Sequence, residues 1–405
     1  MSEFINNIAS RREELLAFSV GIVNGGKRKD YIKRYQNAID NLTAEDVIYV
    51  VHELVAKFDV NKVKIHIGKI LNIFYEPLKC LQKPKPEVGN FIYYLEKENK
   101  AAGNILDDIK ISLKKLNKNE DEIFEEKAKM KSYFEKFQEF EKHYSKKENI
   151  LFPYIEKKYE QNDCLKVMWV FHDDIRASIK KNIEILDNQY FDMRELNKEI
   201  GRFFFAVVPV IFREEYILHP FVLETFNEQD FYEMLVQSFE IGFAYIKTPN
   251  EPKPIIANKK IQDYSKITNL FADLGTGVLS HEQIELLINH LPIDITYVDE
   301  NDTVRFFSNP KHRFFTRSKA IIGRTVQNCH PHESVRIVDK ILESFKAGKK
   351  EKASFWIQMK GRFILIEYYA IRTNDRIYKG TIEVSQDITE IRKLKGEQRL
   401  LDWKD

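Results

Sequence analysis

Along most of the chain apolar residues recur at helical spacing, and near the carboxy terminus the pattern switches to alternation. Up to residue 81 the helical period shows at Leu15, Leu16, Ile32, Tyr35 and Ile39, then over 47–54 and 63–78, which predicts a small helical module. Residues 82–86 and 247–254 are polar and proline-bearing and read as linkers. Between them, strongly amphipathic stretches at 88–116, 122–159, 165–186 and 193–226 predict an up-down-up-down four-helix bundle over 88–228. In the last region Ile293, Ile295 and Tyr297 alternate with Asp294 and Thr296, and Phe355, Ile357 and Met359 with Trp356, Gln358 and Lys360. Further strands are expected at 304–308, 362–371 and 380–386, with a helix at 333–345. The fold class is therefore multidomain, α plus α+β, with domains at 1–81, 88–228 and 280–394.

Composition narrows this picture without redirecting it. At 405 residues the chain exceeds one hydrophobic core. Its 43% hydrophobic and 31% charged residues, with a net charge of +2, are those of a soluble protein without a nucleic-acid footprint. The longest apolar stretch, 203–212, is broken by Pro209 and is about half the length a membrane span needs. The first ten residues lack a signal-peptide pattern, so a cytoplasmic location is expected. Cys80, Cys164 and Cys329 are too dispersed for a disulfide framework or a zinc site.

Candidate chemistry lies where polar residues interrupt the apolar stripes of the bundle. The stripe Val88, Phe91, Leu95, Glu98, Ala102, Ile105, Ile109 contains Glu98, and Phe134, Phe137, Tyr144, Glu148, Leu151, Ile155 contains Glu148, with Glu141 on the same stripe. His172 falls among Leu165, Met168, Ile175, Ile179, Ile183 and Leu186, and Glu215 among Ile200, Phe204, Val207, Ile211, Leu218 and Val222. Carboxylates and imidazoles converging inside a bundle suit non-haem iron or manganese. A buried salt-bridge network is the alternative, with Lys147 and Arg176 placed to neutralise the carboxylates. Lys147 to Pro153 recurs as Arg213 to Pro220, as in a duplicated helical hairpin.

The segment from Glu141 to Pro153, with its Leu151-Phe152-Pro153 turn, resembles the hemerythrin-like cation-binding family, and His172 to Arg176 is similar to that family's third-helix ligand segment. The resemblance implies a non-haem iron site, with one metal or a pair, held by His143, Glu148, His172 and Glu215, to which the stripe adds Glu98. The stretch 291–299, Ile322-Gly323-Arg324 and the closing Asp387-Ile388-Thr389 resemble a PAS domain. The whole order is similar to the bacterial and archaeal family of domain of unknown function 438. These resemblances imply a sensor or regulatory protein responding to oxygen, nitric oxide or redox state. They imply a homodimer through the PAS domain and a downstream protein as partners. A di-iron enzyme or iron-handling protein, and a metal-free assembly scaffold, are the rivals. Against catalysis, no nucleophile–base pair or phosphate-binding glycine loop stands out. Cys329 and His330 offer soft and imidazole ligands for haem or a metal, although a loop entering a helix at Pro331 explains them more plainly. His52 and His66 read as core or boundary residues, and His281, His290 and His312 form no cluster.

Overall fold

A computed structural model describes residues 2–118, 123–188, 192–252, 271–311 and 313–397. The expected helix start at 122, the linker end at 253–254 and His312 lie outside these residues. The chain divides at residue 255 into two compact units. Among the described residues, no helix is long and apolar enough to cross a membrane.

The first unit opens with α1 (Ser2–Val23), α2 (Arg28–Asp40), α3 (Ala44–Lys57) and α4 (Val60–Cys80). A capping box starts α3: Thr43 Oγ1 accepts from the Asp46 N–H at 3.3 Å, and Asp46 Oδ2 accepts from the Thr43 N–H at 3.0 Å. Arg11 and Arg12 then bind the same Asp46 carboxylate and tie α1 to α3. The bundle begins with α5 (Phe91–Leu116), capped by Asn90, whose Oδ1 accepts from the Tyr93 N–H at 3.0 Å. Val88, expected on its buried stripe, precedes the helix and is exposed. The second bundle helix is composite: α6 (Ile123–Phe137), a 3₁₀ turn at 138–140, α7 (Glu141–Lys146), a π turn at Lys147–Leu151, and α8 (Phe152–Lys158). After α9 (Cys164–Asp187), the fourth repeats that interruption, with α10 (Met193–Arg213), a π turn at Glu214–Leu218 and α11 (His219–Thr225). An unanticipated helix, α12 (Glu228–Ile241), packs against α5 and α7.

The apolar core spans residues on both sides of the linker at 82–86. One apolar cluster runs from Leu15, Val50, Leu54 and Phe74 through Phe91, Leu95 and Leu151 to Leu165 and Phe231. A second, including Phe134, Phe137, Ile175, Phe203 and Val207, fills the other part of the bundle. Because α1–α4 bury side chains against the bundle itself, residues 1–252 should unfold in a single transition. A fragment lacking 1–81 should melt at lower temperature and bind a hydrophobic dye, since Phe91, Leu165 and their neighbours lose their cover. Circular dichroism of the two fragments checks this, and equal melting temperatures would restore a separate module.

In the second unit the hairpin β1 (Phe271–Asp273) and β2 (Val278–Ser280) leads into α13 (His281–His290), none of which the alternation revealed. The strands β3 (Asp294–Asp299), β4 (Val304–Phe307), β5 (Lys352–Met359), β6 (Arg362–Arg372) and β7 (Tyr378–Asp387) form one antiparallel sheet in the order β4-β3-β7-β6-β5. Between β4 and β5 comes α14 (His332–Lys346), whose Leu342 packs with Val298, Val304 and Ile321. Gly380 has φ +135°, and a Cβ there would collide with the Val298 carbonyl, so β3 and β7 need glycine at this crossing.

A buried ion-pair cluster as the candidate functional site

Both π turns sit just before a proline. Pro153 and Pro220 have no N–H to donate four residues back, and their rings crowd that carbonyl, so the ladder is rerouted. The Phe152 N–H bonds the Lys147 carbonyl and the His219 N–H the Glu214 carbonyl, each five residues back. Matching local structure at both copies supports the duplicated hairpin. The wide turn also points consecutive residues inward: Lys146, Lys147 and Glu148 are all buried, as are Arg213 and Glu214.

Glu98, His143, Glu148 and His172 come together, and all four are buried. Lys146, Lys147, Asn99, Glu214 and Arg176 complete the cluster. His143 bridges two carboxylates, with Nδ1 2.9 Å from Glu98 Oε2 and Nε2 3.0 Å from Glu214 Oε2. Lys146 Nζ donates to Glu98 Oε1 and, at 2.9 Å, to the Gly242 carbonyl. The Ala244 N–H reaches the same Glu98 oxygen at 2.8 Å. Lys147 Nζ donates to Glu214 Oε1 and to His172 Nε2 at 3.1 Å, while Asn99 Nδ2 donates to Glu214 Oε2 at 3.0 Å. With Nε2 accepting, His172 carries its proton on Nδ1 and donates to Glu148 Oε1 at 2.7 Å. Arg176 closes the rim by binding Glu148, Glu141 and Asp173. Phe140 stacks on His143 at 4.5 Å and Tyr144 on His172 at 4.4 Å, fixing both imidazoles.

Burial works to raise the Glu214 pKa, but Lys147 and His143 overcome it and hold the carboxyl well below the usual range. At Glu98 burial is likewise outweighed by His143 and Lys146, and its pKa is lowered. Burial pulls both lysine ammonium groups below their ordinary value, with Glu98 and Glu214 opposing. Burial, then Lys147 and Arg176, push His172 well below the ordinary histidine value, so it is neutral.

Glu215 does not join this cluster. Its side chain is 32% exposed and lies 3.8 Å from Lys83, with burial raising its pKa. Its neighbour Glu214 faces the core instead, in register with Phe203, Val207 and Val210. Glu141 is likewise an exposed rim residue. As arranged, the donors do not fit a metal ion. Each carboxylate is already bonded to a cationic side chain, Lys147 Nζ holds the space between His172 Nε2 and Glu214, and a divalent ion there would face an ammonium within about 3 Å. Among the described residues, no three His, Cys, Asp or Glu side chains are grouped to hold a metal.

In the second unit His330 Nδ1 donates to the Val326 carbonyl at 2.8 Å, and burial lowers its pKa and keeps the ring neutral. Cys329 Sγ lies 3.6 Å from the Thr325 carbonyl. Both contacts close the turn that enters α14.

Comparison with known proteins matches residues 90–222 to the hemerythrin HHE cation-binding domain and residues 284–389 to the PAS domain. No curated protein matches the chain. Among solved structures, a C-terminal domain from Streptococcus mutans is 31% identical, covers 32% of this chain and 99% of its own, and has a TM-score of 0.31. The sensory box of a sensor histidine kinase from Vibrio cholerae is 12% identical over 26% of this chain and 89% of its own, with a TM-score of 0.21. The PAS domain of BvgS from Bordetella pertussis is 20% identical over 28% and 91%, with a TM-score of 0.23. The chain thus carries a hemerythrin HHE cation-binding domain over residues 90–222 and a PAS domain over residues 284–389.

Proposed function

We propose that the chain is a cytoplasmic sensory or regulatory protein rather than an enzyme, in which the charge state of the buried bundle cluster is the sensed quantity. The PAS domain is proposed to carry the output to a second copy or a downstream protein. What carries the reading is one connection. The segment leading out of the bundle towards the linker is hydrogen-bonded into the cluster, through the Gly242 carbonyl on Lys146 and the Ala244 N–H on Glu98. Gly242 holds φ +88° and ψ −177°, a conformation essentially restricted to glycine, which turns the chain from α12 into this contact. A change of charge at Glu98 is therefore felt directly by the backbone that enters the linker. The Glu98→Gln variant should exchange the Ala244 amide at least ten times faster while α1–α4 keep their protection, measured by hydrogen–deuterium exchange. Equal exchange in both proteins would remove the coupling.

A second reading follows from the family match at 90–222: non-haem iron held by His143, His172, Glu98, Glu148 and Glu214, reporting oxygen, nitric oxide or redox state. It requires Lys147 to leave its partners. Metal analysis of protein purified without oxygen decides between the two, because stoichiometric iron lost in the His172→Leu variant would overturn the ion-pair cluster.

A further inference from the structure

The amino-terminal helices and the bundle do not fill the space between them. On α3, Val47, Ile48 and Val51 fall on one face, and on α4 Ile67 and Leu71 stand one turn apart. All five are buried, and they line a cavity of about 60 Å³ bounded on its other side by α9 and the second π turn. Val47, Ile48, Val51 and Ile67 are β-branched, so their side chains are stiff about χ1 and do not swing in to close the gap.

Next to no polar atom faces this cavity. A water in a protein interior needs roughly two to four hydrogen-bond partners, and this lining supplies almost none. An apolar occupant, in contrast, gains dispersion contacts with every wall. Apolar cavities of about 150 Å³ accept benzene or xenon. With less than half that volume, this one has room only for the smaller of the two.

We propose that the cavity binds one uncharged apolar molecule of up to about three non-hydrogen atoms, held by dispersion alone between α3, α4 and the bundle. Leu165 of α9 and Leu218 of the second π turn complete its seat. The site stands whether or not the neighbouring charge cluster acts in signalling.

The test uses the full chain under xenon pressure, followed by methyl NMR, with methanol as a polar molecule of similar size. Xenon should shift the Ile48, Val51, Ile67 and Leu71 methyl resonances saturably, with one site per chain, and leave Val207 and Val210 in the other apolar cluster of the bundle unmoved. Methanol should cause no saturable shift, because burying its hydroxyl without a partner is unfavourable. Val51→Phe, which fills the cavity, should abolish the shifts at Ile48, Ile67 and Leu71. If that variant does not fold, Val51→Leu, which adds one methylene, must weaken xenon binding at least three-fold. Absence of saturable shifts in the wild type, equal shifts from methanol or at Val207 and Val210, or undiminished binding in the filled variant would overturn the site.

Discussion

Replacing Lys147 with methionine should destabilise the helical unit by about 3–5 kcal/mol, because it strands the Glu214 carboxylate in the core. Methionine keeps most of the side-chain volume, so packing changes little and the loss reports the charge. Glu214 would retain Asn99 and His143 as partners, and His172 Nε2 would lose its donor. Adding Glu214→Gln should recover more than half of the loss, since the amide can keep hydrogen bonds without needing a counter-ion. Urea denaturation of the four proteins of this cycle, followed by helical circular dichroism, reads both numbers, and chelators should leave the wild-type curve unmoved. A Lys147→Met protein as stable as wild type would mean that the ammonium is not the partner on which Glu214 depends.

The second large effect is on pH. His172 is fully buried, neutral, and held well below the ordinary histidine value by burial, Lys147 and Arg176. The unfolded chain takes up a proton near pH 6.5 that the native chain refuses. Stability therefore falls as pH drops below that point, by up to about 1.4 kcal/mol per pH unit. Glu98 and Glu214 act in the same direction but lower down. Their depressed native values give stability that is present above the unfolded glutamate pKa of about 4.3 and is lost as pH falls further. From about pH 6.5 to 4.5 the wild type should thus lose about 2 kcal/mol more than His172→Leu, whose buried leucine does not titrate. Lys147 keeps Glu214 in that variant, and Glu148 keeps Arg176, so the cluster stays paired. Parallel slopes for the two proteins over this window would show that His172 is protonated in the folded state.

Much of this was legible in the residues themselves. The strands of the second unit follow from alternation because a sheet with one buried face imposes a period of two, and β3 to β7 fall within a few residues of the expected positions. Glu98, Glu148 and His172 were found because each interrupts an otherwise regular apolar stripe on a helix whose phase the flanking residues define. The fourth bundle helix did not define its phase. Phe203, Phe204, Phe205 and Val208 are apolar on every side, and Phe205 is 87% exposed, so pattern alone chose Glu215 where packing chose Glu214.

Lys146 and Glu214 escaped for a related reason. A period of 3.6 allows one inward residue per turn, whereas a π turn admits two or three in succession. Pro153 and Pro220 were the available signal, since each breaks the ladder at the required place. The sequence by itself determined α1–α11 and α14, the strands β3–β7 and the presence of buried charge in the bundle, because these follow from local periodicity and turn chemistry. Only the tertiary structure decided that α1–α4 share the bundle's core, that Gly242 and Ala244 reach the cluster, and that the buried carboxylates are balanced by lysine, histidine and arginine. Those outcomes rest on contacts between residues distant along the chain, whose energies are set by burial and by the counter-charges that happen to face them.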